Sequence, residues 1–306
     1  MRVIIAGMGV QGRKRKDICG PDFVAFVDPH VSDVGYKDIR DVPLDSYDAV
    51  LACIPDEPKV AMLDYCLSHG KHVLVEKPLV SHHEGFARLT ELARKNNAVC
   101  YTAYNHRFEP HFARMAELIR SGALGKIYSC RMFYGNGTAK LVRDSAWRDQ
   151  GAGVLPDLGS HLIDTCQFWF GDAARDGAWD IVSANRFENR APDHVVAHMK
   201  SPALRIEIEM TLLMWRNHFT CDILAEKGTA HIESLCKWGP STFTHRTRIM
   251  PSGRPTELQH TLTQPDPTWE TEYAYFKALI ARKHTTDLSW DGKLMSILDG
   301  LKEKIV

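Results

Sequence analysis

Five short runs in which apolar residues follow one another without alternation constrain the first hundred residues more than any other feature. They cover 3–6, 23–27, 49–54, 72–75 and 99–104. A strand exposed on one face alternates, whereas a strand covered on both does not. The runs therefore read as parallel strands buried between helices. The intervening segments supply those helices. Residues 59–69 stop at Gly70, and residues 82–96 set Phe86, Leu89, Leu92 and Ala93 on one face. Such strand–helix–strand succession implies right-handed crossovers and a doubly wound parallel sheet.

The pattern changes after one more helix, Pro110–Arg120, which Ser121-Gly122 closes. Alternating strands then dominate, at 127–134, 181–187, 194–199, 204–211, 218–225, 229–233 and 243–249. The clearest is Leu204-Arg205-Ile206-Glu207-Ile208-Glu209-Met210-Thr211. Alternation leaves one face polar, so a large, open, mostly antiparallel sheet is expected. A helix at 158–170 precedes most of these strands, and helices at 269–282 and 292–304 close the chain. The expected fold is α/β: a doubly wound parallel-sheet domain over 1–120, then an α+β domain over 121–306. The last helices of the second are expected to pack back on the first domain.

A length of 306 residues fits two such domains. With 38 basic and 38 acidic residues there is no cationic excess, so neither nucleic acid nor a membrane surface is an expected partner. No run approaches the roughly 18 apolar residues that span a bilayer, and the stretch after Met1-Arg2 ends at Gly7, too short for a secretion-signal core. A cytoplasmic location is the expectation. The 8 cysteines contain no CxxC pair, most of them (Cys53, Cys100 and Cys166 especially) read as small buried hydrophobes, and no metal is expected.

Gly7-Met8-Gly9-Val10-Gln11-Gly12 follows the first apolar run directly. In that position each glycine has a task. Gly7 permits the tight turn, Gly9 lets backbone approach a pyrophosphate, and Gly12 allows close helix–strand packing. The helix that starts at Val10 and Gln11 presents its N-terminus to the phosphates. Asp28, ending the second strand, is placed to accept hydrogen bonds from an adenosine ribose. The bland alternative is a glycine-rich turn with no ligand. Arg13-Lys14-Arg15-Lys16 next to the loop is either a solvated face or an anion's company. Asp28 favours NAD over NADP, while Arg13 or Arg15 would accommodate a 2′-phosphate.

Glu76-Lys77-Pro78 ends the fourth strand, where doubly wound sheets form their ligand crevice. Lys77 there is either a group beside the cofactor or an exposed strand-end lysine. Asp157 and His161 are four apart at a helix start, with Asp157 at or near the N-cap. They read either as an acid/base pair or as a cap with a surface histidine.

Taken in order, the glycine loop, Glu76-Lys77-Pro78 and Asp157-x-Gly159-x-His161 resemble the Gfo/Idh/MocA oxidoreductases. Asn105-His106-Arg107-Phe108-Glu109-Pro110, Gly122-x-x-Gly125-Lys126-Ile127 and Trp147-Arg148 are similar to the same family. The resemblance covers the N-terminal two-thirds. It implies a Rossmann domain followed by an open-sheet domain, and hydride transfer between a nicotinamide and a hydroxyl-bearing carbon of a sugar, nucleotide sugar or cyclitol. It further implies that Lys77 contacts the substrate hydroxyl, that His161 takes or returns its proton, and that Asp157 orients the pair. Gly7, Gly9, Val10, Gln11, Gly12, Asp28, Ile54, Pro55, Glu76, Lys77 and Asn105 would line the cofactor. Lys77, Arg107, Trp147, Arg148 and His161 would meet the substrate. The family's Thr-Pro-x-x-x-His after the third strand is here Ile54-Pro55-Asp56-Glu57-Pro58-Lys59, keeping only the proline. Tyr104, Tyr134, Asp164, Trp215, His218 and Trp238 are further candidates for a pocket, with aromatic faces suited to sugar rings. A homodimer or homotetramer through the second sheet is expected. The competing readings are a non-catalytic nicotinamide-nucleotide sensor and a metal-dependent lyase or hydrolase. The second has no HExxH-type ligand spacing to support it.

Overall fold

The structure, a computed structural model, describes residues 1–31, 35–145 and 148–305. It divides into two compact units. The first comprises Met1–Asn105 and Thr268–Met295, the second His106–Pro267 and the chain from Ser296 onward. The division falls at residue 105, earlier than the 120 read from the sequence. The helix at Pro110–Arg120 therefore opens the second unit instead of closing the first.

In the first unit, strands β1 (Val3–Ala6), β2 (Phe23–Val27), β3 (Ala49–Ala52), β4 (His72–Glu76) and β5 (Cys100–Ala103) form one sheet in the order β2-β1-β3-β4-β5. All its neighbouring pairs are parallel. Helices α1 (Val10–Cys19), α2 (Asp56–Ser68) and α3 (His83–Lys95) make the crossovers. Val3, Ile4, Ile5, Val50, Leu51, Val73, Leu74 and Val75 are completely buried. Each such side chain contributes about 1.5–3 kcal/mol. Edge strand β2 shows the exception, with Val24 exposed.

Helix α1 is polar, and its buried positions are Gly12, Arg15 and Cys19. Burying Arg15 requires carboxylates. Glu76 at the end of β4 lies 2.8 Å from Nε, and Glu272 lies 2.7 Å from Nη2. Glu272 belongs to α8 (Thr268–Ala281), which the chain reaches only after the second unit. The same helix stacks Trp269 against Lys14 and Arg15, with the charges 3.8 and 4.2 Å from the ring centre. Tyr273 Oη donates to Asp22 at 2.7 Å. Beyond α8, Thr286 accepts from the Cys100 N–H at 2.9 Å and donates to the Ala98 carbonyl, covering the edge of β5.

The second unit begins with α4 (Pro110–Arg120). It continues through β6 (Ile127–Gly135), α5 (Ala139–Arg143), α6 (Ser160–Phe170), α7 (Asp172–Arg175), β7 (Ala178–Asn185), β8 (His194–Lys200) and β9 (Arg205–Thr211). Then come β10 (His218–Ala225), β11 (Gly228–Glu233), β12 (Ser241–Thr247) and β13 (Thr256–Leu262), while the last helix, α9 (Ser289–Lys302), begins in the first unit and ends in the second. The sheet order is β13-β12-β11-β10-β6-β9-β8-β7. Every neighbouring pair is antiparallel except β6 with β9. As the alternation requires, Ile206, Ile208 and Met210 of β9 are buried. Helices α4 and α6 cover that face. Phe112 sits 4.9 Å from Phe219 and 5.2 Å from Trp169, centre to centre, and Trp169 Nε1 donates to the Phe112 carbonyl. Among the described residues no helix is long and apolar enough to cross a membrane.

Candidate active site

The glycine loop of the first unit is a consequence of crowding. Gly7 has φ +86°, and a Cβ there would stand 2.4 Å from the Cys53 carbonyl oxygen. A Cβ on Gly12 would stand 1.8 Å from the Gly7 carbonyl. Both positions exclude any side chain. Gly9 differs, since a Cβ there would meet nothing within 4 Å. The missing side chain at Gly9 thus leaves space that the protein itself does not use. That space lies at the N-cap of α1, which has no side-chain cap and no acidic residue in its first turn. Val10 is 85% exposed and Gln11 is exposed beside it. Uncapped N–H groups and a positive dipole end suit an anion, so this loop fits a pyrophosphate.

Asp28 ties the loop down. Its carboxylate accepts from the Met8 N–H at 2.7 Å and from the His30 N–H at 2.8 Å. Burial raises the Asp28 pKa, but these backbone donors, with that of Val31, outweigh it and leave the carboxyl below its ordinary value. With these donors in place the carboxylate still has acceptor capacity for a ribose hydroxyl. Ile54 packs on the loop, its Cγ2 3.2 Å from the Cβ position of Gly7, and Pro55 is exposed. Asn105 is buried and donates to Thr268 Oγ1 at 2.8 Å.

One expectation changes here. Arg15 is no partner for a 2′-phosphate, because it is fully buried between Glu76 and Glu272. Burial lowers its pKa, and the two carboxylates more than reverse that. Glu76 correspondingly anchors Arg15. Only exposed Arg13 remains from that part of the reading. Lys14 rests on Trp269 and Lys16 on Phe23, so the basic run is largely held by aromatic rings.

Lys77 is half-buried at the end of β4, and the Lys77-Pro78 peptide bond is cis. Sequence reasoning missed what holds this segment. Lys59, 3% exposed, donates to the Pro78 carbonyl at 3.0 Å and to the Asp56 carboxylate at 2.6 Å. It stands where the resemblance would put a histidine.

In the second unit, His161 lies in the first turn of α6. Its ring stacks on that of His106 with centres 4.0 Å apart and planes at 18°. Tyr134 is 5.5 Å from His106 and 6.3 Å from His161. Lys237 Nζ lies 3.4 Å from both His106 Nε2 and Tyr134 Oη. Buried Glu109 accepts from the N–H groups of His111, Phe112 and Cys236, joining the start of α4 to the turn that carries Lys237. Burial pushes the Glu109 carboxyl up, against those donors. His106 and Glu109 lie in the Asn105–Pro110 motif, whereas Lys237 carries no motif spacing of its own. Only the sheet brings them to His161.

Asp157 is not the N-cap of α6. Residues Leu155–Gly159 form one wide turn that runs into the helix, and the cap position is Gly159. Arg148 Nη2 lies 3.5 Å from the Asp157 carboxylate. Arg107 grips Asp164 through both Nε, at 2.9 Å, and Nη2. Burial raises the Asp164 pKa and Arg107 opposes it. The Arg107 fork is thereby committed within the fold. Trp147 lies outside the described residues. Trp215 is fully exposed, Tyr104 is buried in the first unit, and His218 packs against Phe133. Among the described residues, no group of three His, Cys, Asp or Glu side chains is arranged to hold a metal.

Comparison with known proteins places these features in a family context. Residues 22–104 match the model of the oxidoreductase family with an NAD-binding Rossmann fold, and residues 112–231 match the GFO/IDH/MocA C-terminal domain. A myo-inositol 2-dehydrogenase of Thermotoga maritima is 31% identical over 147 residues, 46% of this chain and 42% of that protein. A levoglucosan dehydrogenase of Pseudarthrobacter phenanthrenivorans is 32% identical over 108 residues, 34% of this chain and 28% of that one. The match thus spans less than half of either curated relative. In three dimensions, levoglucosan dehydrogenase in complex with NADH and L-sorbose superimposes with a TM-score of 0.82 at 18% identity, covering 100% of this chain and 96% of that one.

Proposed function

This chain belongs to the GFO/IDH/MocA family of oxidoreductases, and from that premise we propose that it is an NAD-dependent dehydrogenase acting on a hydroxyl-bearing carbon of a sugar, nucleotide sugar or cyclitol. The observation that carries this reading is the uncapped start of α1 behind Gly9, with Asp28 drawn onto the Met8 N–H. Such a loop binds the pyrophosphate through backbone N–H groups and the adenosine ribose through Asp28. The relatives named as inositol and levoglucosan dehydrogenases support the substrate class.

When bound, the nicotinamide supplies the hydride acceptor or donor. The protein's part is to orient the substrate and manage a proton. The Lys77 ammonium donates a hydrogen bond to the reacting hydroxyl oxygen and stabilises negative charge as it develops there. The His161 imidazole takes the hydroxyl proton in oxidation and returns it in reduction. His106, stacked on His161 and hydrogen-bonded at Nε2, limits the orientations open to that ring. Asp157, drawn toward Arg148, orients the start of the segment that carries His161. The open sheet, with Tyr128, Val182 and Leu224 exposed on its strands, serves as the subunit interface, which light scattering tests.

Lys77→Ala and His161→Ala test the assignment. Each lowers turnover at least 100-fold, the scale of positioned acid–base groups, while NADH affinity stays within a few-fold of wild type. Wild-type rates in both variants would refute it. Tight NADH binding with no change in nicotinamide absorbance on any polyol would instead identify a nucleotide sensor.

A further inference from the structure

The short helical turn Cys236–Trp238 carries an ammonium that is held in place. Lys237 Nζ donates to His106 Nε2 and Tyr134 Oη, both at 3.4 Å. Those two acceptors are themselves 3% and 5% exposed. An ammonium has three N–H donors, so one remains. Among the described residues no carboxylate pairs with Lys237. Burial, aided by nearby Glu109 and Asp266, pushes the neighbouring Cys236 thiol up to about 12. Arg216, exposed on the loop after β9, stands beside the same turn. Its Nη2 is 3.9 Å from the Cβ position of Gly239, and it too makes no ion pair among the described residues.

Aromatic rings join these cations to the histidine pair. Trp238 lies 4.9 Å from the Lys237 ammonium and 5.7 Å from Tyr134, and His106 separates Lys237 from the His161 ring. The cluster is an aromatic wall edged by two positive charges that form no ion pair among the described residues. A neutral ring would stack on the wall but leave the charges as they are. A carboxylate or phosphate would make charge-assisted bonds, roughly twice as strong as neutral ones.

We infer that Lys237, with Arg216 beside it, is an anion-recognising subsite next to His161, and that the substrate is a sugar derivative bearing a carboxylate or phosphate. This rests on the reading of His161 as the group that faces the reacting hydroxyl.

The test compares wild type, Lys237→Met and Lys237→Arg as whole proteins with NAD, using D-glucose, D-glucuronate and D-glucose 6-phosphate. For wild type, kcat/KM is higher for one of the two anionic sugars than for glucose, and which one it is distinguishes carboxylate from phosphate. In Lys237→Met that ratio falls at least tenfold, mainly through KM, and Lys237→Arg restores most of it. A wild-type preference for glucose, or a ratio within twofold of wild type in Lys237→Met, would overturn the subsite. If wild type turns over none of the three, the dehydrogenase reading still stands or falls on the wider polyol panel, and binding is read in place of turnover. Calorimetric binding of glucuronate and glucose 6-phosphate to the same proteins then decides the subsite. A tenfold weaker affinity in Lys237→Met supports it, and equal affinity or no binding to wild type overturns it.

Discussion

Replacing Gly9 and Gly12 by alanine separates two roles that one glycine motif usually confounds. At Gly9 the backbone is ordinary for any residue, with φ −67°, and an added Cβ meets no protein atom within 4 Å. Alanine is a poorer N-cap by roughly 1 kcal/mol, while it restricts the unfolded chain by about 0.4–1 kcal/mol in the other direction. The folded protein should therefore keep its melting temperature to within a few degrees. The methyl group instead occupies the space through which a pyrophosphate reaches the first N–H groups of α1. Losing one charge-assisted hydrogen bond costs about 1.5–3 kcal/mol, so NADH binding weakens roughly tenfold to 150-fold. At Gly12 the Cβ would stand 1.8 Å from the Gly7 carbonyl, and backbone has to move. Overpacking of that kind costs about 1–3 kcal/mol or more and lowers the melting temperature by several degrees. Thermal unfolding without ligand, together with NADH fluorescence titration, reads both effects. A Gly9→Ala variant that binds NADH as wild type does, or a Gly12→Ala variant that melts as wild type does, would refute the reasoning.

Other consequences are equally open to measurement. Arg15→Met leaves Glu76 and Glu272 without their shared cation, and should cost about 3–5 kcal/mol in urea unfolding; a loss below about 1 kcal/mol would contradict the buried triad. Asp28→Asn keeps an acceptor for the Met8 N–H but removes the charge, so the ratio of NADP to NAD affinity should rise about tenfold, and an unchanged ratio would show that the carboxylate does not face the ribose. The Arg2 hydrogen bond holds the Asp48 carboxyl at about 2, against an ordinary 3.8. Its contribution is complete above the ordinary value and is lost as pH falls toward 2, so stability should decline less steeply across that window in Asp48→Asn than in wild type. Parallel acid-unfolding slopes would dispose of that assignment.

Much of this was legible in the residues alone, for physical reasons that also explain the gaps. Strands β1, β3 and β4 announce themselves because burial on both faces demands unbroken apolar runs, and Pro110 and Ser121-Gly122 bracket α4 to the residue. Strand β13 went unread because Thr256–Leu262 is mostly exposed and its pairing with β12 is a backbone affair that leaves no apolar imprint. The wide turn at Leu155–Gly159 was invisible because a proline and two leucines suit an ordinary helix start equally well. In the site, the glycine loop could be read because its demands are local. Arg15 misled, since a cation in a basic run looks solvated until Glu272 arrives from far along the chain. Lys59 and Lys237 gave no signal for the same reason: each is defined by a carbonyl, an imidazole or a phenol that only tertiary structure supplies.

The interrupted path of the first unit bears on how the protein comes into being. A nascent chain emerges from its amino end, so the five parallel strands are all synthesised before a single residue of α8 exists. Asp22 and Tyr273, bonded in the finished molecule, are 251 positions apart. Until translation has passed the entire intervening sheet, Arg15 has only Glu76 to neutralise it, and the outer side of α1 lacks the indole that will cover it. The nucleotide-binding unit thus completes its charge balance only after the second unit has been made, and fragments ending at Pro267 inherit a cation with half its counter-charge missing.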